Sequence, residues 1–244
     1  MEERLLGCHR KKSTFLPRAE LGRLIIMVAL APIMFRDRRQ AGEALAAALM
    51  DLKGEDVIVL AIPRGGVVVG DVVARALGAP LDVVVTKKIG APGQPEYALG
   101  AVTQDGEALV DDEAVRMLGV DREYVEKEAS RQAMEVRDRM RRFRGDMPLP
   151  TLKGRTVVIV DDGIATGSTI LAAVRSVRRQ APKSVVVAAP VGPVETVARM
   201  SGEADRVVCL ETPKPFFAIG EFYSEFEQVE DDEVKRILSS YKSK

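Results

Sequence analysis

Two short valine- and isoleucine-rich runs, each followed by a glycine turn and a helical stretch, constrain the fold of this chain more than any other feature. Val57-Ile58-Val59-Leu60-Ala61 leads through Pro63-Arg64-Gly65-Gly66 into a helix expected from Val67 to Leu77, and a further run, Leu81 to Thr86, follows. The same order recurs at Thr156 to Val160, Asp161 to Gly167 and Ser168 to Gln180, with another run at Ser184 to Ala189. These runs are too short for helices and are apolar throughout, as strands covered on both faces are. Parallel strands need crossovers, and the intervening helices supply them. The expected fold class is therefore α/β, an open and mostly parallel sheet with helices on both faces.

The material between the two halves differs. Leu99 to Thr103 and Glu107 to Val110 flank Gln104-Asp105-Gly106, which reads as a hairpin with Asp-Gly at its turn. From Asp112 to Arg144 the chain is strongly charged and should form a short helix and a long one, the second capped by Asp121. This places a helical insertion at about 111–145 within one domain over 34–244. The five arginines between Arg137 and Arg144 read as a solvated helix face, because acidic residues are interspersed upstream.

Composition removes several classes of function. Thirty-six basic residues balance thirty-six acidic ones, so no global field draws the chain to nucleic acid or an anionic membrane. His9 is the sole histidine and lies in a basic N-terminal stretch, which excludes catalytic triads and histidine-rich metal sites. Cys8 and Cys209 lack metal-type spacing, and a reducing cytoplasm is the expected compartment. The apolar run Leu24 to Ile33 is about half of a bilayer crossing. A basic stretch before an apolar one also suits a cleaved signal, but their separation and the cysteine usage oppose it. The simpler expectation is an extension over 1–33 with little structure, translation starting at Met34.

The most informative segment is Val157-Val158-Ile159-Val160-Asp161-Asp162-Gly163-Ile164-Ala165-Thr166-Gly167-Ser168-Thr169. A buried strand ends at two adjacent carboxylates, and a turn of small residues then opens a helix. In open α/β sheets ligands sit at the carboxyl ends of the strands. Small residues let backbone N–H groups approach an anion, and a helix N-terminus favours negative charge. Thr166, Ser168 and Thr169 add hydroxyl donors. The carboxylates suit hydroxyl groups or a hydrated Mg²⁺ beside the phosphate. A phosphorylated ribose fits this pattern, whereas a mere turn cap would explain one aspartate and leave its neighbour and the hydroxyls unexplained. Neither GxxxxGK[ST] nor a GxGxxG after a strand is present.

Val157 to Thr169 resembles the phosphoribosylpyrophosphate-binding signature of type I phosphoribosyltransferases. The resemblance implies that Asp161 and Asp162 hold the ribose 2- and 3-hydroxyls while Gly163, Ile164, Ala165, Thr166, Gly167, Ser168 and Thr169 cradle the 5-phosphate. Mg²⁺ would be held by Asp161 and Asp162 indirectly, through ribose hydroxyls or water. It extends to Pro63, Arg64, Gly65 and Gly66, matching the pyrophosphate loop, where family members often carry a non-proline cis peptide; here that bond would join Pro63 to Arg64. Lys87 and Lys88, expected to end a strand, would neutralise the leaving pyrophosphate, although Lys87 facing solvent is the alternative. The glycine- and proline-punctuated stretch Ile89 to Tyr97 corresponds to a mobile loop closing over it. The run Lys87 to Gly93 is similar to a subgroup whose members are named only provisionally as phosphoribosyltransferases.

The resemblance makes Arg64, Lys88, Asp161 and Asp162 the catalytic candidates. A C-terminal hood at about 211–226 would hold the acceptor through Phe217, then Phe216 and Ala218, unless Phe217 is a core residue. Oxopurine members usually carry Asp just before the Thr-Gly pair, where this chain has Ala165, so no particular base is implied. The expected reaction is Mg²⁺-dependent transfer of the phosphoribosyl group to a nitrogenous acceptor. A regulator that senses phosphoribosylpyrophosphate with the same fold, and binds nucleic acid, is the alternative. Phosphoribosylpyrophosphate synthases carry two such domains, and this chain has room for little more than one. The expected partners are small-molecule substrates and a second copy in a homodimer, without nucleic acid or membrane.

Overall fold

A computed structural model describes residues 34–145 and 147–241, together with the backbone of two short strands before them. Strands β1 (Ala19–Leu21) and β2 (Leu24–Ile26) fall inside the expected N-terminal extension, whose remainder lies outside the described residues. The sheet is built around β3 (Val57–Ala61) and β8 (Thr156–Val160), which pair in parallel from Val57 against Thr156 to Ala61 against Val160. On the β8 side follow β9 (Ser184–Val191), β10 (Arg206–Glu211) and β2 in parallel, with β1 antiparallel at that edge. On the β3 side stands β4 (Leu81–Val83).

Alternate residues of these strands feed two cores, one on each face. Val57, Val59, Ala61, Val158, Val160, Val186, Ala188 and Val208 join one cluster. Ile58, Leu60, Val157, Ile159, Val185, Val187 and Val207 join the other. Side chains alternate across a strand, so two covered faces require an apolar residue at every position. Helices α1 (Arg38–Ala48) and α2 (Gly65–Leu77) cover the first face; α5 (Ser168–Arg178) and α6 (Val194–Met200) cover the second. Helix α2 carries the chain from β3 outward to β4, and α5 carries it from β8 the opposite way to β9. Strand order therefore reverses between β3 and β8, where α/β sheets open a ligand crevice.

A second, antiparallel sheet of three strands comprises β5 (Lys87–Ala91), β6 (Gln94–Val102) and β7 (Ala108–Val110). The hairpin turn at Asp105-Gly106 lies between β6 and β7 as expected. One expectation changes here. Strand β4 stops at Val83, so Lys87 and Lys88 begin a strand of the other sheet rather than ending this one. The stretch Ile89 to Tyr97, expected to supply the loop closing over the site, forms the β5–β6 hairpin, paired from Lys87 against Val102 to Ala91 against Gln94.

The insertion folds into α3 (Asp112–Met117) and α4 (Arg122–Arg144), with the Asp121 carboxylate capping α4 at the Glu123 N–H. Helix α4 buries Val125, Ala129, Ala133, Val136 and Met140 in the main core and packs near α7 (Asp231–Ser239). The arginine run is not uniformly solvated. Arg144 is buried and grips Asp82 of β4 through Nε at 2.7 Å and Nη2 at 2.8 Å. No helix among the described residues is long and apolar enough to cross a membrane.

Removing one member of a buried ion pair strands the other without a counter-charge. Asp82→Ala should lower the unfolding free energy by about 3 kcal/mol in urea titration. Adding Arg144→Leu should recover part of that loss.

Candidate active site

The turns that leave β3 and β8 lie next to each other because their strands are paired, and Ile62 N–H donates to Val160 O at 2.9 Å across them. A cavity of about 400 Å³ opens there. Pro63, Arg64 and Gly65 border it from the β3 turn, and Asp161 and Asp162 from the β8 turn. Thr86, Lys87 and Lys88 form a wall where β4 passes into β5, and Arg139 reaches it from α4. Thr169 and Ala172 complete it from the first turns of α5. Cations at Arg64, Lys87, Lys88 and Arg139 thus share one space with the carboxylate pair. The Pro63–Arg64 peptide bond is cis, as the loop's resemblance implies.

The two carboxylates differ. Burial first, and the neighbouring Asp162 charge second, hold the Asp161 carboxyl well above the usual carboxylate range. Its Oδ1 accepts the Asp162 N–H at 2.9 Å. Asp162 instead meets a cation, with Arg38 Nε donating to Oδ2 at 2.7 Å. Tyr223 donates its hydroxyl to the Asp162 backbone carbonyl at 2.6 Å. Burial, then the Asp162 charge, raises the Tyr223 phenol, so it stays a donor.

The remainder of the β8 turn divides between support and surface. Ile164 was expected among the phosphate-cradling residues, but its side chain lies in the core and its N–H donates to Val191 O at 2.8 Å. It anchors the turn and presents no group outward. Gly163 is required by close approach: a Cβ there would lie 2.5 Å from Ile219 Cγ2 of the hood. Ala165 and Thr166 are exposed, Gly167 precedes α5 with φ 76°, and the Thr166 and Ser168 hydroxyls lie 3.1 Å apart. Thr169 is exposed, with its carbonyl accepting from Thr86 Oγ1 at 3.4 Å.

Other expected residues are also located. Arg64 Nη1 sits 3.8 Å from both Glu230 and Asp231, at the start of α7. Lys87 pairs with Glu135 of α4 at 2.9 Å while bordering the cavity, so it does not simply face solvent. Gly66 is the second residue of α2, where an added Cβ would come within 2.9 Å of the Asp161 Cα. In the hood, Phe216 stacks on Phe222 with centroids 5.2 Å apart, whereas Phe217 is 78% exposed and is not a core residue. Ala218 is exposed beside it, and none of Phe216, Phe217 and Ala218 borders the cavity. Arg38, Thr86, Arg139 and Tyr223 escaped sequence reasoning. Thr86 ends an apolar run, Arg139 lies in the arginine run and Tyr223 in the hood, but no local motif marks them within those segments, and Arg38 stands outside all of them.

Residues 36–225 match the family model described as a phosphoribosyl transferase domain. A Mycobacterium tuberculosis protein, provisionally named a phosphoribosyl transferase, is 47% identical over 205 residues, covering 84% of this chain and 46% of that relative. The chain thus spans about half the length of the curated relatives it matches. The crystal structure of TT1426 from Thermus thermophilus superposes with a TM-score of 0.79 at 48% identity, over 86% of this chain and 99% of that one.

Truncating an exposed ring removes little packing, while truncating a buried one leaves a void. Phe217→Ala should leave the unfolding free energy from denaturant titration within about 0.5 kcal/mol of the unaltered protein. Phe222→Ala should cost about 3 kcal/mol in the same assay.

Proposed function

The chain belongs to the phosphoribosyl transferase family, and we propose that it moves the 5-phosphoribosyl group of phosphoribosylpyrophosphate onto a nitrogenous acceptor, releasing pyrophosphate. The observation that carries this reading is one cavity bordered both by the carboxylate pair and by Arg64, Lys87, Lys88 and Arg139. A ligand that carries a diol and a polyanion matches that set of groups. Asp161 and Asp162 take the ribose hydroxyls. The surface hydroxyls of Thr166, Ser168 and Thr169, at the α5 N-terminus, take the 5-phosphate with the backbone of Gly163, Ala165 and Gly167. Arg64, Gly65, Gly66, Lys87, Lys88 and Arg139 take the pyrophosphate.

In the reaction the bond from the anomeric carbon to the pyrophosphate oxygen breaks, and a bond to the acceptor nitrogen forms. Negative charge grows on the leaving group, where the cations fixed about the cavity stabilise it. The acidic pair positions the sugar while its ring gains cationic character. Phe217 offers an exposed ring for stacking a heterocyclic acceptor, with Phe216 and Ala218 beside it. Ala165 supplies no carboxylate to accept the proton that the acceptor nitrogen loses, so that proton passes to water or to the departing pyrophosphate.

The donor set fits Mg²⁺ held largely by oxygens of the substrate. Asp162 Oδ2 is engaged by Arg38 and Asp161 Oδ1 by a backbone N–H, which leaves no fully free carboxylate. Among the described residues no cluster of three or more His, Cys, Asp or Glu could hold an ion by itself. Asp161 and Asp162 would reach the metal through hydroxyls or water, and the bound ion would neutralise pyrophosphate charge.

Incubating the purified protein with phosphoribosylpyrophosphate, Mg²⁺ and a panel of nitrogenous bases should release pyrophosphate with at least one of them. No release and no calorimetric binding of the sugar would sink the reading. Replacing both aspartates with asparagine should weaken binding by about 1.5–3 kcal/mol per lost charged hydrogen bond. Lys88→Ala should lower kcat by about a hundredfold.

A further inference from the structure

We propose that Arg38 is a positioning residue that sets the orientation of Asp162 for a ribose hydroxyl and links it to the end of the hood. This rests on the reading that the acidic pair grips the sugar. Arg38 lies 124 residues from Asp162, at the first position of α1. Its Nε donates to Asp162 Oδ2 at 2.7 Å, and its Nη1 donates to Glu227 O at 2.7 Å. The guanidinium carbon sits 3.8 Å from the centroid of the Phe226 ring. The two charged side chains are only 11% and 12% exposed. A planar guanidinium held at three points fixes the carboxylate direction in a way a mobile surface pair cannot.

The surroundings are built to this contact. A Cβ on Gly65 would lie 1.8 Å from Asp162 Oδ2 and 2.8 Å from Arg38 Nε. Glycine at this place in the β3 turn therefore makes room for the pair. Upstream of Arg38, Phe35 N–H donates to Phe222 O, while the N–H groups of Ser224 and Glu225 donate to the carbonyls of Phe35 and Arg36, all at 2.8 Å. Tyr223 of the same segment holds the Asp162 carbonyl. Asp162 is thus fastened at both its carboxylate and its backbone to one unit, the start of α1 joined to residues 222–227. Oδ1 is the oxygen that Arg38 does not hold.

Calorimetry with Mg²⁺ on the full chain tests this, using phosphoribosylpyrophosphate, ribose 5-phosphate, its 2-deoxy and 3-deoxy counterparts, and inorganic pyrophosphate. Arg38→Gln should weaken phosphoribosylpyrophosphate binding about tenfold, the scale of one charge-assisted hydrogen bond. It should also erase the preference for ribose 5-phosphate over at least one deoxy counterpart, with pyrophosphate affinity held within about twofold. A purely structural role would lower all affinities together and leave the hydroxyl preference intact. Phe226→Ala, which keeps both members of the ion pair, should shift that preference the same way by a smaller factor, and it decides the matter if Arg38→Gln does not fold. Unchanged hydroxyl preference in the variants, or parallel loss of pyrophosphate, overturns the role of Arg38. Failure of the unaltered protein to bind the activated sugar overturns instead the reading on which it rests.

Discussion

Because β3 and β8 run side by side in parallel yet send their crossover helices to opposite faces and in opposite directions, the turns leaving them must part above the sheet. The crevice between those turns is a product of chain path, and every side chain of the candidate site is positioned relative to it. Pairing Ala61 with Val160 brings the cis-peptide turn within reach of the aspartates. Neither turn could move without breaking a strand whose residues are almost wholly buried. The two turns therefore stand on strands buried at every residue, a footing that a preorganised charge arrangement needs.

That arrangement places like charges next to each other. Two adjacent carboxylates, partly removed from water, would repel each other unless one is matched by a cation or holds its proton. Asp162 faces Arg38, and burial with the Asp162 charge beside it pushes the Asp161 carboxyl above its ordinary range. The pair thus behaves as two different groups. The cations that border the same cavity come from three parts of the chain: the β3 turn, the start of β5 and α4. The helical insertion is accordingly part of the site through Arg139, and is more than an appendage to the sheet.

Much of this was legible from local sequence. The unbroken apolar runs give the doubly covered strands, because burial on two faces leaves a direct trace in every residue. Asp121 announces α4, and Asp105-Gly106 announces the β6–β7 turn, since caps and turns are short-range devices. The Asp161-Asp162 turn stands out by composition alone. Errors arose where long-range contacts decide. Lys87 and Lys88 look like a strand end until β5 is seen to pair with β6 in another sheet. Ile164 belongs to a small-residue turn in sequence, yet the neighbouring β9 claims its N–H. Helix α1 carries an alanine-rich pattern that could have been read, but no spacing rule connects its first residue to a carboxylate so far along the chain.

The Asp82–Arg144 contact has a further consequence at the margin of the sheet. Strand β4 is the last in its row, and a terminal strand ordinarily offers outward backbone donors on which another polypeptide can nucleate. Here the Val83 N–H is already satisfied by Asp82 Oδ1 at 2.8 Å, and that carboxylate is clamped by the α4 guanidinium. One outward donor of this flank is taken by a side chain folded back on its own backbone. Self-association by sheet extension is thereby discouraged at β4, and two copies of the domain would have to meet elsewhere.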